Sequence, residues 1–218
     1  FQPSHESSGS TYPNLTDTIT NLKNRQLNSS YGCAYYPFVQ IRDTLQGQLV
    51  YMPASVAGIG AMSYTDRVRA PWFAPAGFNR GGLSSGIAGL PVVNVTQKLT
   101  SQDRDSLYDA NINPIASFPA TGVVVYGQKT LQTKASALDR VNVRRLLIAL
   151  KNYISDVAQN LVFEQNTIAT RNAFISQVNP YLETVQQRQG LYAFKVIMDE
   201  SNNSADVIDR NEMIGQIY

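Results

Sequence analysis

The sequence holds one histidine, His5, and one cysteine, Cys33, in 218 residues. That scarcity excludes most enzyme chemistry. A Ser/His/Asp or Cys/His arrangement requires an oriented imidazole, and a structural zinc site requires about four Cys or His ligands. His5 lies in a polar, aperiodic lead-in and cannot serve either purpose. With one cysteine no intrachain disulfide forms, which fits a reducing compartment, and Cys33 is expected to be a buried, inert thiol. No run approaches the roughly 20 apolar residues of a membrane span, and the amino terminus lacks the basic-then-apolar pattern of a signal peptide. No membrane partner and no export are expected.

Two other features fail as reaction sites. The acid pairs Asp103/Asp105 and Asp206/Asp209 fall at expected helix starts, where the helix dipole already accounts for them. The run Gly77-Phe78-Asn79-Arg80-Gly81-Gly82 has no following Lys-Ser/Thr and does not open a helix after a strand, as a phosphate-cradling loop requires. A structural loop is expected there. No catalytic residue, cofactor or metal ligand is assigned, and the chain is read as a non-enzyme.

What the sequence does contain is apolar residues at 43%, enough for a proper core, and a formal net charge of +2 that is unevenly spread. Between 129 and 151, Lys129, Lys134, Arg140, Arg144, Arg145 and Lys151 stand against Asp139 alone, a net of +5. Near the end, Asp199, Glu200, Asp206, Asp209 and Glu212 oppose only Arg210, a net of −4. Opposite patches on one chain suit self-association, with copies docking positive against negative. Ordinary solvated faces are the alternative for each patch.

Periodicity gives the element order. Residues 1–30 are rich in Ser, Thr and Asn and read as loop or a peripheral lead-in, with 31–218 forming the body of the protein. Cys33 to Ile41 and Leu49 to Met52 read as a hairpin across the turn at 43–48. A small-residue helix follows over 54–67, then an ordered loop over 70–90 in which Trp72 and Phe73 bury aromatic surface as anchors. Pro91 to Val95 reads as a strand, and Ser101 as the N-cap of a helix reaching Ala110, ended by Asn113-Pro114. Two short strands follow at 115–118 and 122–126.

The clearest element runs from Leu138 to about Phe163. Apolar residues at 143, 147, 150, 154, 157 and 161 share one helical face, and Arg140, Arg144, Lys151 and Ser155 lie opposite, with Arg145 at the edge. The basic face has three readings: a solvated surface, an interface with protein, or a contact to nucleic acid. No aromatic residues interleave with it for base stacking. Beyond it, a helix over 167–178 is expected to break and restart at Asn179-Pro180, closing at Gly190. Leu191 to Asp199 alternates as a strand, and 204–210 reads as a short helix. The chain starts at Phe1 instead of methionine and ends in the apolar run Met213 to Tyr218, so it reads as part of a longer protein with its last strand cut short. Strands and helices intermix, which gives an α+β (mixed α/β) class with a sheet layered by helices.

Five segments, in order, carry a family resemblance. They are Ala70-Pro71-Trp72-Phe73-Ala74-Pro75-Ala76-Gly77 with Arg80-Gly81; Gly127-Gln128-Lys129-Thr130-Leu131; Leu138-Asp139-Arg140-Val141-Asn142-Val143-Arg144-Arg145; Phe163-Glu164-Gln165-Asn166; and Asp206-Val207-Ile208-Asp209-Arg210-Asn211-Glu212. Together they resemble the contractile tail sheath proteins of T4-like phages, across about residues 31–218. The resemblance implies a virion subunit, made in the host cytoplasm, that stacks in hexameric rings around a tail tube and contracts to drive the tube through the host envelope. It implies no cofactor. Its implied partners are other copies, the tail tube protein, and baseplate and tail terminator proteins, with neither nucleic acid nor membrane among them. In that family, terminal arms add strands to neighbouring subunits. Ile214, Ile217 and Tyr218 are then the candidate inter-subunit sheet edge, and Arg140, Arg144, Arg145 and Lys151 the candidate tube or inter-subunit contact. Without its arms this chain is expected to be a monomer. The alternative kept open is a non-catalytic module that binds nucleic acid or protein through the basic face.

Overall fold

The computed structural model describes residues 12–43, 45–84 and 92–218. Residues 1–11 of the lead-in with His5, Thr44 of the hairpin turn, and 85–91 with Gly86, Gly89 and Pro91 lie outside the described residues. The chain gathers into two compact units, residues 1–145 and 146–218. Among the described residues helices and strands alternate irregularly and the sheets are small, an α+β fold as the sequence predicts.

The first unit is built on two three-stranded sheets. Strands β1 (Ala34–Tyr36), β5 (Ile112–Phe118) and β6 (Gly122–Val125) form one, with β5 central. The first half of β5 pairs parallel with β1 and its second half antiparallel with β6. Strands β2 (Val39–Arg42), β3 (Leu49–Met52) and β4 (Val92–Val95) form the other, in which β2 and β3 are the expected hairpin. Pro37 splits the apolar run Cys33 to Ile41 between the two sheets, since its nitrogen carries no hydrogen for a ladder.

Both faces of β1 and β5 are covered, so burial runs on from residue to residue through β1 and the first five residues of β5 instead of alternating. On one face Tyr35 and Ile115 join Val39, Leu83, Val92, Val95 and the alanines of helix α2 (Ala54–Val68). On the other, Ala34, Tyr36 and Ile112 pack with Leu22 of helix α1 (Leu15–Asn24) and Leu107 of helix α3 (Ser101–Asp109). Burial of the Tyr36 phenol pushes its pKa up to about 12, helped by the Asp103 charge, and its hydroxyl bonds Gln97 at 2.6 Å and the Pro13 carbonyl at 3.1 Å.

Several expectations change here. Part of the supposed lead-in is a capped helix: the Asn14 carboxamide accepts from the Asp17 N–H, and Leu15, Ile19 and Leu22 turn one stripe to the core. The N-cap of α3 is Thr100, not Ser101. Thr100 and Asp103 close a reciprocal capping box, and those hydrogen bonds hold the Asp103 carboxyl below its usual range. Asn113-Pro114 does not merely end that helix but lies within β5. Trp72 and Phe73 are half-buried, with Arg80 lying over the Phe73 ring and bonding the Ala74 carbonyl. The glycine-rich loop folds onto β6: Gly77 N–H donates to the Val125 carbonyl, Val125 N–H to Gly81, and Leu83 N–H to Val123. A Cβ on Gly81 would stand 2.6 Å from the Val125 oxygen, so close backbone approach, not phosphate binding, requires glycine there.

The second unit contains most of helix α4 (Val141–Gln159), helix α5 (Ile168–Gln187), helix α6 (Ala205–Asp209) and a ribbon of β7 (Val196–Ile197) against β8 (Gln216–Ile217). Helix α4 ends at Gln159, four residues before the expected Phe163, and a 3-10 turn at Ala137–Asp139 precedes it. Helix α5 passes through Pro180 without restarting. The Tyr153 hydroxyl donates to the Gln177 carbonyl in the turn before the proline, and the Tyr153 and Tyr181 rings stack at 3.8 Å. Only Val196–Ile197 of the expected strand over 191–199 is ladder, and Tyr192 is fully exposed.

Gly58 supplies a stability test. A Cβ there would lie 2.7 Å from the buried Tyr35 ring. Gly58→Ala gains up to about 1 kcal/mol of helix propensity but meets an overpacking cost of about 1–3 kcal/mol. The expected net effect is destabilising, seen as a lower denaturant midpoint, and a stabilised variant would refute the contact.

Candidate functional site

The segment joining β6 to α4 carries Lys129, Lys134 and Arg140, and a buried asparagine fixes it. Asn113, fully buried on β5, donates through Nδ2 to the Ala34 and Lys129 carbonyls at 3.1 and 2.8 Å and accepts the Lys129 N–H at 2.5 Å. From Lys129 the chain runs antiparallel to the start of α4: Thr130 N–H donates to Asp139, and Val141 N–H to Gln128. Lys129 Nζ lies over the Tyr108 ring and donates to the Tyr108 carbonyl.

This arrangement disposes of most of the expected basic face. Arg140 pairs with Asp139 at 3.2 Å and bonds the Tyr108 hydroxyl. Arg144, placed by sequence on the solvent side, is only 9% exposed: it reaches Ser30 Oγ, and its guanidinium sits 4.1 Å from the Tyr31 ring centre. Arg145 forms an ion pair with Asp66 and donates to the Pro71 carbonyl. Helical spacing identifies a face but not the partners that descend on it from α2 and from residues 30–31. Lys151 is the member that remains exposed. Of the four residues proposed as a tube or inter-subunit contact, Arg140, Arg144 and Arg145 are thus engaged within the first unit as internal struts, and Lys151 has no ion-pair partner among the described residues.

The candidate sheet edge is placed as a strand pair. Lys195 and Tyr218 exchange both backbone hydrogen bonds at 2.9 Å, and Val196 faces Ile217. Bonded and non-bonded pairs alternate along an antiparallel ladder, so the Ile217 N–H and C=O point away from β7, onto an open edge. Ile214 is instead held from within. Asn203, buried, accepts the Ile214 N–H at 2.9 Å and donates to its carbonyl at 2.8 Å. Asn166 bonds both Asn203 and the Glu212 carbonyl and receives Nη1 of the buried Arg171. The sequence marks Asn113 only as a helix terminator and does not mark Asn203 at all, because a lone asparagine has no spacing to recognise.

Cys33 is half-buried, and burial pushes its thiol above the ordinary value, away from nucleophilic use at neutral pH. Among the described residues no three His, Cys, Asp or Glu side chains gather as a metal site, and no helix is long and apolar enough to cross a membrane. What the surface offers is strand edge and apolar side chains.

That architecture is the one found in contractile sheath subunits. The whole chain aligns with 58% of a chain in the contracted-state sheath complex of the extracellular contractile injection system PVC, at a TM-score of 0.80 and 22% identity, a likeness of fold. Sequence carries the relation further. Residues 133–218 match the phage tail sheath C-terminal domain family. The tail sheath protein of Vibrio phage KVP40 is 46% identical over 78% of this chain and 24% of its own length, and that of Enterobacteria phage T4 is 37% identical over the same shares. The chain is related to the tail sheath proteins of T4-like phages, as the five segments implied, and spans about a quarter of the length of these relatives.

The struts and the free lysine separate in an unfolding experiment. Arg144→Ala removes a stacked, hydrogen-bonded guanidinium and is expected to cost about 2 kcal/mol. Lys151→Glu is expected to change stability by less than about 0.5 kcal/mol. Urea titration of both variants checks this, and equal effects would contradict the buried placement of Arg144.

Proposed function

We propose that this chain is the assembling core of a contractile phage tail sheath subunit, which stacks with its copies in hexameric rings around a tail tube and slides past them on contraction. It does so as a structural, non-catalytic component of the virion tail. The observation that carries the reading is the β7–β8 ribbon, which lies within the residues that match the sheath C-terminal domain and has an open outer edge at Ile217. An isolated two-stranded ribbon is marginal in water, and an extended segment from a neighbour completes it by strand addition. The exposed Tyr218 ring and half-exposed Ile217 give that strand apolar contacts. Tube, baseplate and tail terminator proteins are the further partners of such a subunit. Nucleic acid recognition is the weaker reading, since Arg140, Arg144 and Arg145 are engaged within the first unit.

Ile217→Pro tests the ribbon. It deletes an N–H that faces outward, so the β7–β8 ladder keeps its bonds while the docking strand loses one. The full-length protein is expected to form tubes by electron microscopy, and the variant to fold without forming them. Tubes from the variant would reject strand addition at β8, and failure of the unaltered protein to polymerise would reject the sheath reading.

A further inference from the structure

The second unit carries a groove of about 960 Å³ between the end of α4 and the segments around Met198 and Met213. Leu161, Phe174, Met198 and Met213 line it, with Glu164 and Glu212 also on its wall; among the described residues no Lys, Arg or His does. Glu212 already holds Arg210, which leaves Glu164 as the free acid. Phe163 also lines the groove, yet its ring is fully exposed. Its backbone has φ +78°, the left-handed region that Gly or Asn adopts cheaply and a bulky side chain avoids. Neither backbone preference nor packing within the unit accounts for phenylalanine there. An unfavourable backbone that presents an exposed aromatic ring beside an apolar groove is the pattern of an interface anchor.

The occupant must supply an apolar side chain and a cation. The β2–β3 hairpin of the first unit has both. Leu45 is 94% exposed at its tip, and Arg42, which faces Leu49 across the ladder, is exposed with no carboxylate partner among the described residues. Near the tip the Asp43 carboxylate accepts the Leu45 N–H at 2.8 Å, and the Asp43 backbone accepts from Gly47 and donates to the Gln48 carbonyl. We infer that the β2–β3 hairpin of one copy seats Leu45 in the Phe163 groove of another, with Arg42 toward Glu164. The two surfaces differ, so the contact is heterologous. Such a contact repeats from copy to copy and builds a ring or an open helix according to the rotation between copies, and a sheath of stacked rings uses contacts of this kind. The inference rests on the assembly reading above.

Variants of the full-length protein in which Cys33 and any cysteine outside these 218 residues are replaced by alanine, carrying Leu45→Cys or Glu164→Cys, test the contact after assembly into tubes. Oxidation is expected to give disulfide-linked dimers in the mixture of the two and in neither alone. Tubes without such dimers would overturn the contact while leaving the sheath reading intact. Dimers of Glu164→Cys alone, or its linkage to the tube protein, would name a different occupant and overturn it as well. Absence of tubes from the unaltered protein would reject the sheath reading first. Phe163→Asn gives an independent measurement. Its thermal midpoint is expected to stay level or rise, while the concentration needed for tube formation increases by roughly tenfold or more. An unchanged threshold would show that Phe163 anchors nothing.

Discussion

The first unit depends on one buried carboxamide. Asn113 has no access to water, and it places two donors and one acceptor on Ala34 and Lys129 of two different segments. A buried polar group left unpaired costs about 1–3 kcal/mol, so the position is favourable only when both segments arrive in register. The Asn113 bonds therefore fix Lys129 against β1, and the antiparallel run from Lys129 back to Asp139 fixes where α4 begins. Each arginine strut follows from that placement. Asn203 acts similarly in the second unit, where its side chain takes both backbone groups of Ile214 and so sets where the chain enters β8.

The same constraint changes the meaning of the charge pattern. A net of +5 between 129 and 151 suggests an electrostatic surface when read as a string. Once the clamp is set, Lys129 and Arg140 converge on Tyr108, Arg144 on Tyr31, and Arg145 on Asp66. These cations hold α3, α2 and residues 30–31 to the root of α4. Charge that is used to bind a unit together is withdrawn from its surface. Association of the kind proposed above then falls to strand edge and exposed apolar side chains, which depend less on salt than a charged face does.

Elements with a strong local signal were legible. The hairpin followed from β-branched and aromatic alternation around a glycine turn, and α4 from its apolar stripe. The errors share one cause, that tertiary partners outvoted local signals. Helix α1 is polar by composition, and its three apolar residues matter only because α3 and β1 receive them. Asn113-Pro114 looks like a terminus, but β1 pairs with β5 through Pro114 in parallel register. Asn179-Pro180 looks like a restart, yet α5 runs on through it, with Tyr181, next to the proline, stacked on Tyr153 of α4. At the site, the strand edge could be read from an apolar run. The arginine partners could not, because Asp66 and Tyr31 lie far away in sequence.

On the sheath reading proposed above, a subunit that slides against its neighbours faces opposing demands: its own units must not deform, and its contacts must be able to exchange. Buried asparagine clamps serve the first demand, since a half-satisfied amide network is costlier than either intact state and the clamp opens all at once or not at all. Backbone strand addition serves one part of the second. Its hydrogen bonds are indifferent to side-chain identity, so a docked strand tethers without dictating the angle between the bodies it joins. Apolar knob-and-groove contacts serve the other part, because burial is non-directional and the accompanying Arg42 and Glu164 are exposed, so water solvates both when they part. Arginine struts kept inside each unit and apolar residues left outside are thus a division of labour that a moving lattice favours. A surface of tight ion pairs would instead oppose each displacement, because every break would strand a desolvated charge.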